Sequence, residues 1–311
     1  MLNMSEKTKV LVTGGCGFIG NWLMRQLAEG SGGDYIARAY DNQMWSTNLV
    51  PDMIIGDVRD EHSVFQQVEN FDVIVHMAAQ INIDHSIQDI KTTFEINAMG
   101  TANVINACLK MEKKMVFISS SEIYGSHNRP INEEHPLNGQ SPYAASKIAA
   151  DRLCYSAMQT WPGFDCTIVR PFNNYGPKQR ADGYGGVIAK FIAAALKDEP
   201  LTIYGDGNQC RDYTYVLDTV KALEMAIEGR MPKIFNIATG RTYAINHIAE
   251  MILHFTSSKS EIIHTEPRQG EVECLIGDAT LARCYGWEPG TDFMDGLYRC
   301  VKYAKGERYD D

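Results

Sequence analysis

An α/β fold is what the sequence predicts: a doubly wound parallel sheet followed by a smaller C-terminal α/β domain. Three observations predict it. Over the first 170 or so residues, short β-branched apolar runs alternate with longer stretches of helical period, the pattern of strand–helix crossovers. The apolar runs end on small or polar residues, which places those residues together at the carboxyl edge of one sheet. After Pro177 the texture changes to Gly-rich, charged loops with shorter strands. The division expected is 1–172 for the first domain, with a return of 212–240 to it, and 173–311 for the second.

The composition bounds the class. A chain of 311 residues, 44% hydrophobic and 22% charged, has ample material for a large core. Its net charge of −10 argues against a nucleic-acid partner, which calls for clustered Lys and Arg. The eight cysteines are scattered with no CxxC pair, so reduced thiols in a cytoplasmic protein are expected rather than disulfides or a metal site. The first nine residues are polar, without a secretory apolar core, and no apolar run approaches the ~20 residues of a membrane span.

The elements follow in order. Lys9–Thr13 reads as a buried strand that breaks into Gly14-Gly15-Cys16-Gly17-Phe18-Ile19-Gly20, and a helix is expected from Asn21 to Glu29. Strand, glycine turn and helix make a dinucleotide site: the glycines let the backbone approach a pyrophosphate, and the helix start offers free N–H groups. Tyr35–Tyr40 is the second strand, ending at Asp41, an acid placed to bond the adenosine ribose hydroxyls and so to favour NAD over NADP. Met53–Ile55 leads to Gly56-Asp57-Val58-Arg59-Asp60, where Asp57 is either an adenine contact or an exposed turn acid. Phe71–Ala79 is the fourth strand; small Ala78 and Ala79 at its carboxyl end suit close packing on the cofactor, and His76 reads as a satisfied core histidine. A long helix is expected over 94–111.

Met115–Ile118 is the fifth strand, ending at Ser119-Ser120-Ser121-Glu122-Ile123-Tyr124-Gly125. After a polar loop comes Ser141-Pro142-Tyr143-Ala144-Ala145-Ser146-Lys147, which puts a phenol and an ammonium four residues apart on one helix face. A Lys beside a Tyr hydroxyl favours the phenolate, a base for a substrate hydroxyl. Thr167–Arg170 is the sixth strand, running into Pro171-Phe172-Asn173-Asn174-Tyr175-Gly176-Pro177. Later signals are Tyr204-Gly205-Asp206-Gly207, Arg211-Asp212-Tyr213 and Glu266-Pro267-Arg268-Gln269-Gly270.

Taken together, these ordered motifs resemble the extended short-chain dehydrogenases/reductases of the nucleotide-sugar epimerase/dehydratase group, over nearly the whole chain. The resemblance implies a Rossmann-like sheet, NAD held at Gly14, Gly17, Phe18, Ile19, Gly20, Asp41, Asp57, Val58, Ala78, Ala79, Ser119, Tyr143 and Lys147, and a nucleotide-diphosphate sugar as substrate. It implies transient oxidation at the sugar C4, with Tyr143 as base, Lys147 tuning it, and Ser119 or Ser120 bonding the C4 oxygen. Glu122 stands where 4,6-dehydratases of this group carry the base that removes the C5 proton, and Ser121 stands at the helper position. UDP-glucuronate decarboxylases share Ser-Glu there, and C4-epimerases usually carry small or polar residues. The reading is therefore an NDP-hexose 4,6-dehydratase, with a C4-epimerase, an NDP-uronic acid decarboxylase and a non-catalytic NAD-binding regulator as alternatives. By the same resemblance Asn173, Arg211, Arg268 and Tyr204 meet the substrate, and the chain forms a homodimer through the helices near 94–111 and 143–161. No metal is implied.

Overall fold

The structure is a computed structural model that describes residues 7–30, 34–42, 50, 53–127, 129–182, 185–267 and 272–309. Arg268, expected at the substrate, lies outside the described residues. By contact the chain forms two compact units. The first takes Met1–Ser119, Pro142–Val169 and Val220–Ile234; the second takes Ser120–Ser141, Arg170–Thr219 and Phe235–Asp311. The loop 120–141 thus groups with the second unit, where the division read from the sequence runs 1–172 against 173–311.

In chain order the first stretch comprises β1 (Thr8–Thr13), α1 (Phe18–Arg25), β2 (Tyr35–Asp41), β3 (Ile54–Ile55), α2 (Glu61–Val68), β4 (Val73–His76), α3 (Ile83–Gln88), α4 (Ile90–Phe94), α5 (Gly100–Lys110), β5 (Lys114–Ile118), α6 (Pro142–Thr160) and β6 (Cys166–Pro171). Then come β7 (Asn173–Tyr175), α7 (Val187–Ala195), β8 (Leu201–Tyr204), β9 (Cys210–Tyr215), α8 (Val216–Ile227) and β10 (Ile234–Ile237). The chain ends with β11 (Thr242–Ala244), α9 (Ile245–Thr256), β12 (Ile262–Thr265), β13 (Cys274–Leu275), α10 (Thr280–Cys284) and α11 (Phe293–Ala304).

The main sheet has seven strands in the order β10-β6-β5-β4-β1-β2-β3. Pairings β1–β2, β1–β4, β2–β3, β4–β5 and β5–β6 are parallel. β10 runs the same way along β6: Ile168 N–H reaches Lys233 O, and four residues on Phe172 N–H reaches Ile237 O. The strand order reverses between β1 and β4, so the glycine turn after β1 and the residues after β4 flank the crevice where doubly wound sheets bind ligands. The strands are buried on both faces: Val10, Val12, Ile74, Val75, Val116 and Ile168 are fully covered. Each such aliphatic side chain contributes roughly 1.5–3 kcal/mol through removal from water.

Two element boundaries differ from expectation. α1 starts at Phe18, with Gly17 as its N-cap, and continues as a π-type turn over Gln26–Gly30. The sequence suggested a start at Asn21 because glycine was read as turn only; the turn and the helix instead overlap. The long helix expected over 94–111 begins at Ile90, capped by Asp89 accepting from Thr92 N–H, and passes through a π-type turn at Glu95–Met99 before α5. The second unit carries a sheet with the path β11-β9-β13, to which β7 adds by pairing β9, and a β12–β8 pair. The segment from Asn173, read as running out of the sixth strand, is a short strand of its own, parallel to β9.

Candidate active site

In the first unit the glycine turn carries the cofactor motif. Gly14 sits at φ +73°, and a Cβ there would lie 2.8 Å from Ala78 N. A Cβ on Gly20 would lie 2.3 Å from Gly14 O, so that position admits glycine alone. The turn therefore touches the end of β4, and the first turn of α1, with Phe18 and Ile19 half-buried, opens beside it. This close-packed backbone cradle fits the diphosphate of a dinucleotide. Asp41, at the end of β2, accepts the Cys16 N–H at 3.0 Å. The carboxylate is thereby tied to the backbone of the turn.

The Asp57 carboxylate is held by Arg59 through its backbone N–H and guanidinium, which lower its pKa. Val58 is buried, its carbonyl taken by Asn103. Ala78 N–H donates to Thr13 Oγ1 at 3.2 Å, as does Met77 N–H. With two donors on its oxygen, the Thr13 hydroxyl gives its own proton to His76 Nδ1 at 2.7 Å. His76 Nε2–H then faces Thr101 Oγ1 at 3.0 Å, and Thr101 donates to Asn97 O. His76 is fully buried, and burial lowers its pKa to about 3, so the ring is neutral. Asn97 continues the chain: it accepts Gln80 N–H, and its amide donates to Gln80 O and Ser146 Oγ. Ser146 donates to Tyr143 O.

Tyr143 and Lys147 occupy successive turns of α6 and are both buried. Tyr143 N–H, among the first of the helix, is satisfied by Ser86 Oγ at 3.1 Å. Lys147 Nζ donates to Ile118 O at 2.6 Å and lies 4.5 Å from the centre of the Phe117 ring. Burial lowers its pKa to about 8, opposed by Cys154 and Asp151. The ammonium is thus present at neutral pH yet close to titration. Ser119 is buried and donates to the fully buried Asp151 carboxylate at 2.8 Å. Its hydroxyl proton is thereby committed to Asp151.

In the second unit, Ser120 caps a 3₁₀ turn over Ser121–Tyr124, its Oγ accepting Glu122 N–H at 3.2 Å. Ser121 is buried and Glu122 half-buried. The turn is anchored by Tyr124, whose hydroxyl donates to Asn236 Oδ1 and accepts from the buried Arg170. Gly125, at φ +70°, passes so close to Asn138 O that a Cβ would lie 2.3 Å away. Asn173 donates to Asp212 O, Arg211 reaches Cys210 O and Glu273 O, and Tyr204 is exposed on β8. Asp212, next to Arg211, accepts from Thr239, Gly240 and Gly277.

Sequence reasoning missed Thr13, Asn97, Ser146 and Asp151. Only Asp151 left a signal: it lies four residues beyond Lys147 on the same helix face. Among the described residues no group of three His, Cys, Asp or Glu could hold a metal ion, and no helix is long and apolar enough to cross a membrane.

A family model described as the NAD dependent epimerase/dehydratase family matches residues 10–238. A UDP-N-acetyl-alpha-D-glucosaminuronate decarboxylase from Bacillus cytotoxicus is 34% identical, over 83% of this chain and 83% of its own. A UDP-glucose 4-epimerase from Thermotoga maritima, solved with UDP-glucose, superposes with a TM-score of 0.90 at 29% identity, covering 96% of this chain and 99% of that one. A dTDP-glucose 4,6-dehydratase from Streptomyces venezuelae, solved with NAD, gives 0.88 at 28% identity, over 96% and 97%.

Proposed function

The chain belongs to the NAD dependent epimerase/dehydratase family and is an NAD-using enzyme, and on that premise we propose that it is an NDP-hexose 4,6-dehydratase. The observation that carries the proposal is Glu122, a half-buried carboxylate in a turn whose backbone is fixed by Ser120 and Tyr124. A 4-ketone acidifies the neighbouring C5–H, so a carboxylate suffices as its base. An epimerase, which only removes and returns hydrogen at C4, has no work for such a group.

The residue roles follow. Tyr143, as phenolate, takes the C4 hydroxyl proton; Lys147 supplies the positive charge that favours the phenolate. Ser120 donates to the C4 oxygen. NAD, held at the glycine turn and Asp41, supplies a reversible two-electron acceptor for the sugar. Glu122 takes the C5 proton and passes it to the departing C6 hydroxyl, which Ser121 holds, so that water leaves; after the hydride taken from C4 is delivered to C6, Glu122, reprotonated from solvent, gives a proton to C5. Asn173, Arg211, Tyr204 and Arg268 are the proposed contacts of the nucleotide diphosphate; Arg suits its oxygens by bidentate donation.

The test is incubation with UDP-, dTDP-, GDP- and CDP-hexoses and analysis for a 4-keto-6-deoxy product. C4 inversion with the C6 oxygen retained contradicts the proposal and supports the epimerase. A second reading has its own support, since one relative is named a decarboxylase: carbon dioxide release from an NDP-uronic acid would establish it instead.

A homodimer is proposed through α4–α6, where Ile90, Met99, Leu153, Tyr155 and Trp161 leave apolar surface exposed; light scattering at the monomer mass contradicts it. A reducing, cytoplasmic setting fits eight free cysteines.

A further inference from the structure

We propose that Asp151 is a positioning residue for the redox centre: its buried carboxylate is the counter-charge that keeps Lys147 an ammonium. The geometry carries this. Successive turns of α6 clamp two adjacent residues at the end of β5. Lys147 Nζ donates to the Ile118 carbonyl at 2.6 Å, and Asp151 accepts the Ser119 hydroxyl at 2.8 Å. The two charged side chains are four residues apart on one helix face, the neighbour spacing of a helix. Asp151 is 0% exposed and Lys147 4%. Two buried charges held by opposite ends of one dipeptide are each stabilised by the other, and either alone is costly.

The surroundings of Lys147 leave Asp151 as the one buried carboxylate in this role among its described neighbours. On β4, His76 is neutral, its Nδ1 taken by Thr13 and its Nε2 by Thr101. On β5, Phe117 offers a ring face and Ile118 a carbonyl. On α6 itself stand Tyr143, the proposed base, and Cys154, a buried thiol whose pKa is raised and which therefore carries no charge near neutrality. Arg152, half-exposed, pairs with the second Asp151 oxygen at 2.8 Å and draws part of that negative field outward.

The inference rests on the proposed role of Lys147, but its test needs no sugar. Protein carrying [13Cε]lysine is titrated by NMR from pH 5 to 10, with the Lys147 signal identified by its loss in Lys147→Arg. Asp151→Asn, which keeps an acceptor for Ser119, is expected to lower the Lys147 midpoint by at least about one pH unit, a tenfold shift toward the neutral amine. Asp151→Glu is expected to hold it. Arg152→Ala, at an exposed site, is expected to move it upward. A structural Asp151 would lower stability in the Asn variant and leave the midpoint in place, and that result overturns the proposal. Should Asp151→Asn not fold, an unmoved or lowered midpoint in Arg152→Ala overturns it. Failure to find a dehydratase product would leave this titration untouched, so the two ideas fail separately.

Discussion

The backbone N–H of Cys16 donates to the Asp41 carboxylate at 3.0 Å, so the acid that ends β2 is fastened to the glycine turn that ends β1. The bond orders the turn, and the carboxylate is also the proposed partner of the NAD ribose. Asp41→Ala removes both functions. We expect at least a tenfold rise in the NAD dissociation constant by calorimetry, about 1.4 kcal/mol or more. Asp41→Asn, which keeps an acceptor for Cys16, should lose less.

The turn itself makes a sharper test. Gly20→Ala places a Cβ 2.3 Å from Gly14 O, backbone that cannot swing aside. We expect loss of bound NAD and a lowered melting temperature. Gly163→Ala has nothing within 4 Å of the new Cβ and serves as the control; it should change stability by no more than about 1 kcal/mol.

His76 gives the fold a pH dependence of known sign. Its folded pKa is about 3, against about 6.5 unfolded. The unfolded chain therefore binds a proton that the folded one excludes. The contribution of the neutral ring is fully present above about pH 6.5 and is lost as pH falls from there toward 3, by up to about 1.4 kcal/mol per pH unit. Urea unfolding at pH 7 and pH 5 measures it. His76→Gln should be less stable at pH 7 and show a flatter slope.

The proposed role of Lys147 predicts an alkaline limit on turnover. That role needs the charged form, and with a pKa of about 8 that form is lost as pH rises through 8. The rate should fall on that limb while the fold, followed by circular dichroism, persists. A pH–rate profile flat to pH 10 contradicts the assignment.

Asp218 tests the second unit. Its carboxylate accepts Gly290 and Thr291 N–H groups at 2.8 and 3.1 Å, and its carbonyl takes Trp287 Nε1. Asp218→Ala leaves those N–H groups unpaired and should cost about 2–4 kcal/mol in denaturant unfolding.

What the sequence made legible was local. Gly14, Gly17 and Gly20 within one turn, Asp41 at a strand end, and Tyr143 with Lys147 on one helix face all follow from spacing along the chain. The Thr13–His76 and Ser119–Asp151 bonds join residues 63 and 32 positions apart. They depend on which strands neighbour which and in what register, and no periodicity encodes that. His76 shows the limit from the other side: its residue type suggested a satisfied core histidine, while the relay from Thr13 through Thr101 to Asn97 needed the sheet. The Asp151 carboxylate beneath Ser119 likewise left no trace in the local pattern around Ser119.

The central claim is that Glu122 is the C5 base, and product mass in heavy water tests it most directly. Wild-type enzyme and Glu122→Gln are given the accepted NDP-hexose in D2O. The account predicts that the wild-type product has lost one water and carries one solvent deuterium at C5, and that Glu122→Gln slows this by about a hundredfold or more. A Glu122→Gln variant that turns over at the wild-type rate, or a wild-type product with its C6 oxygen intact and no deuterium at C5, would contradict it.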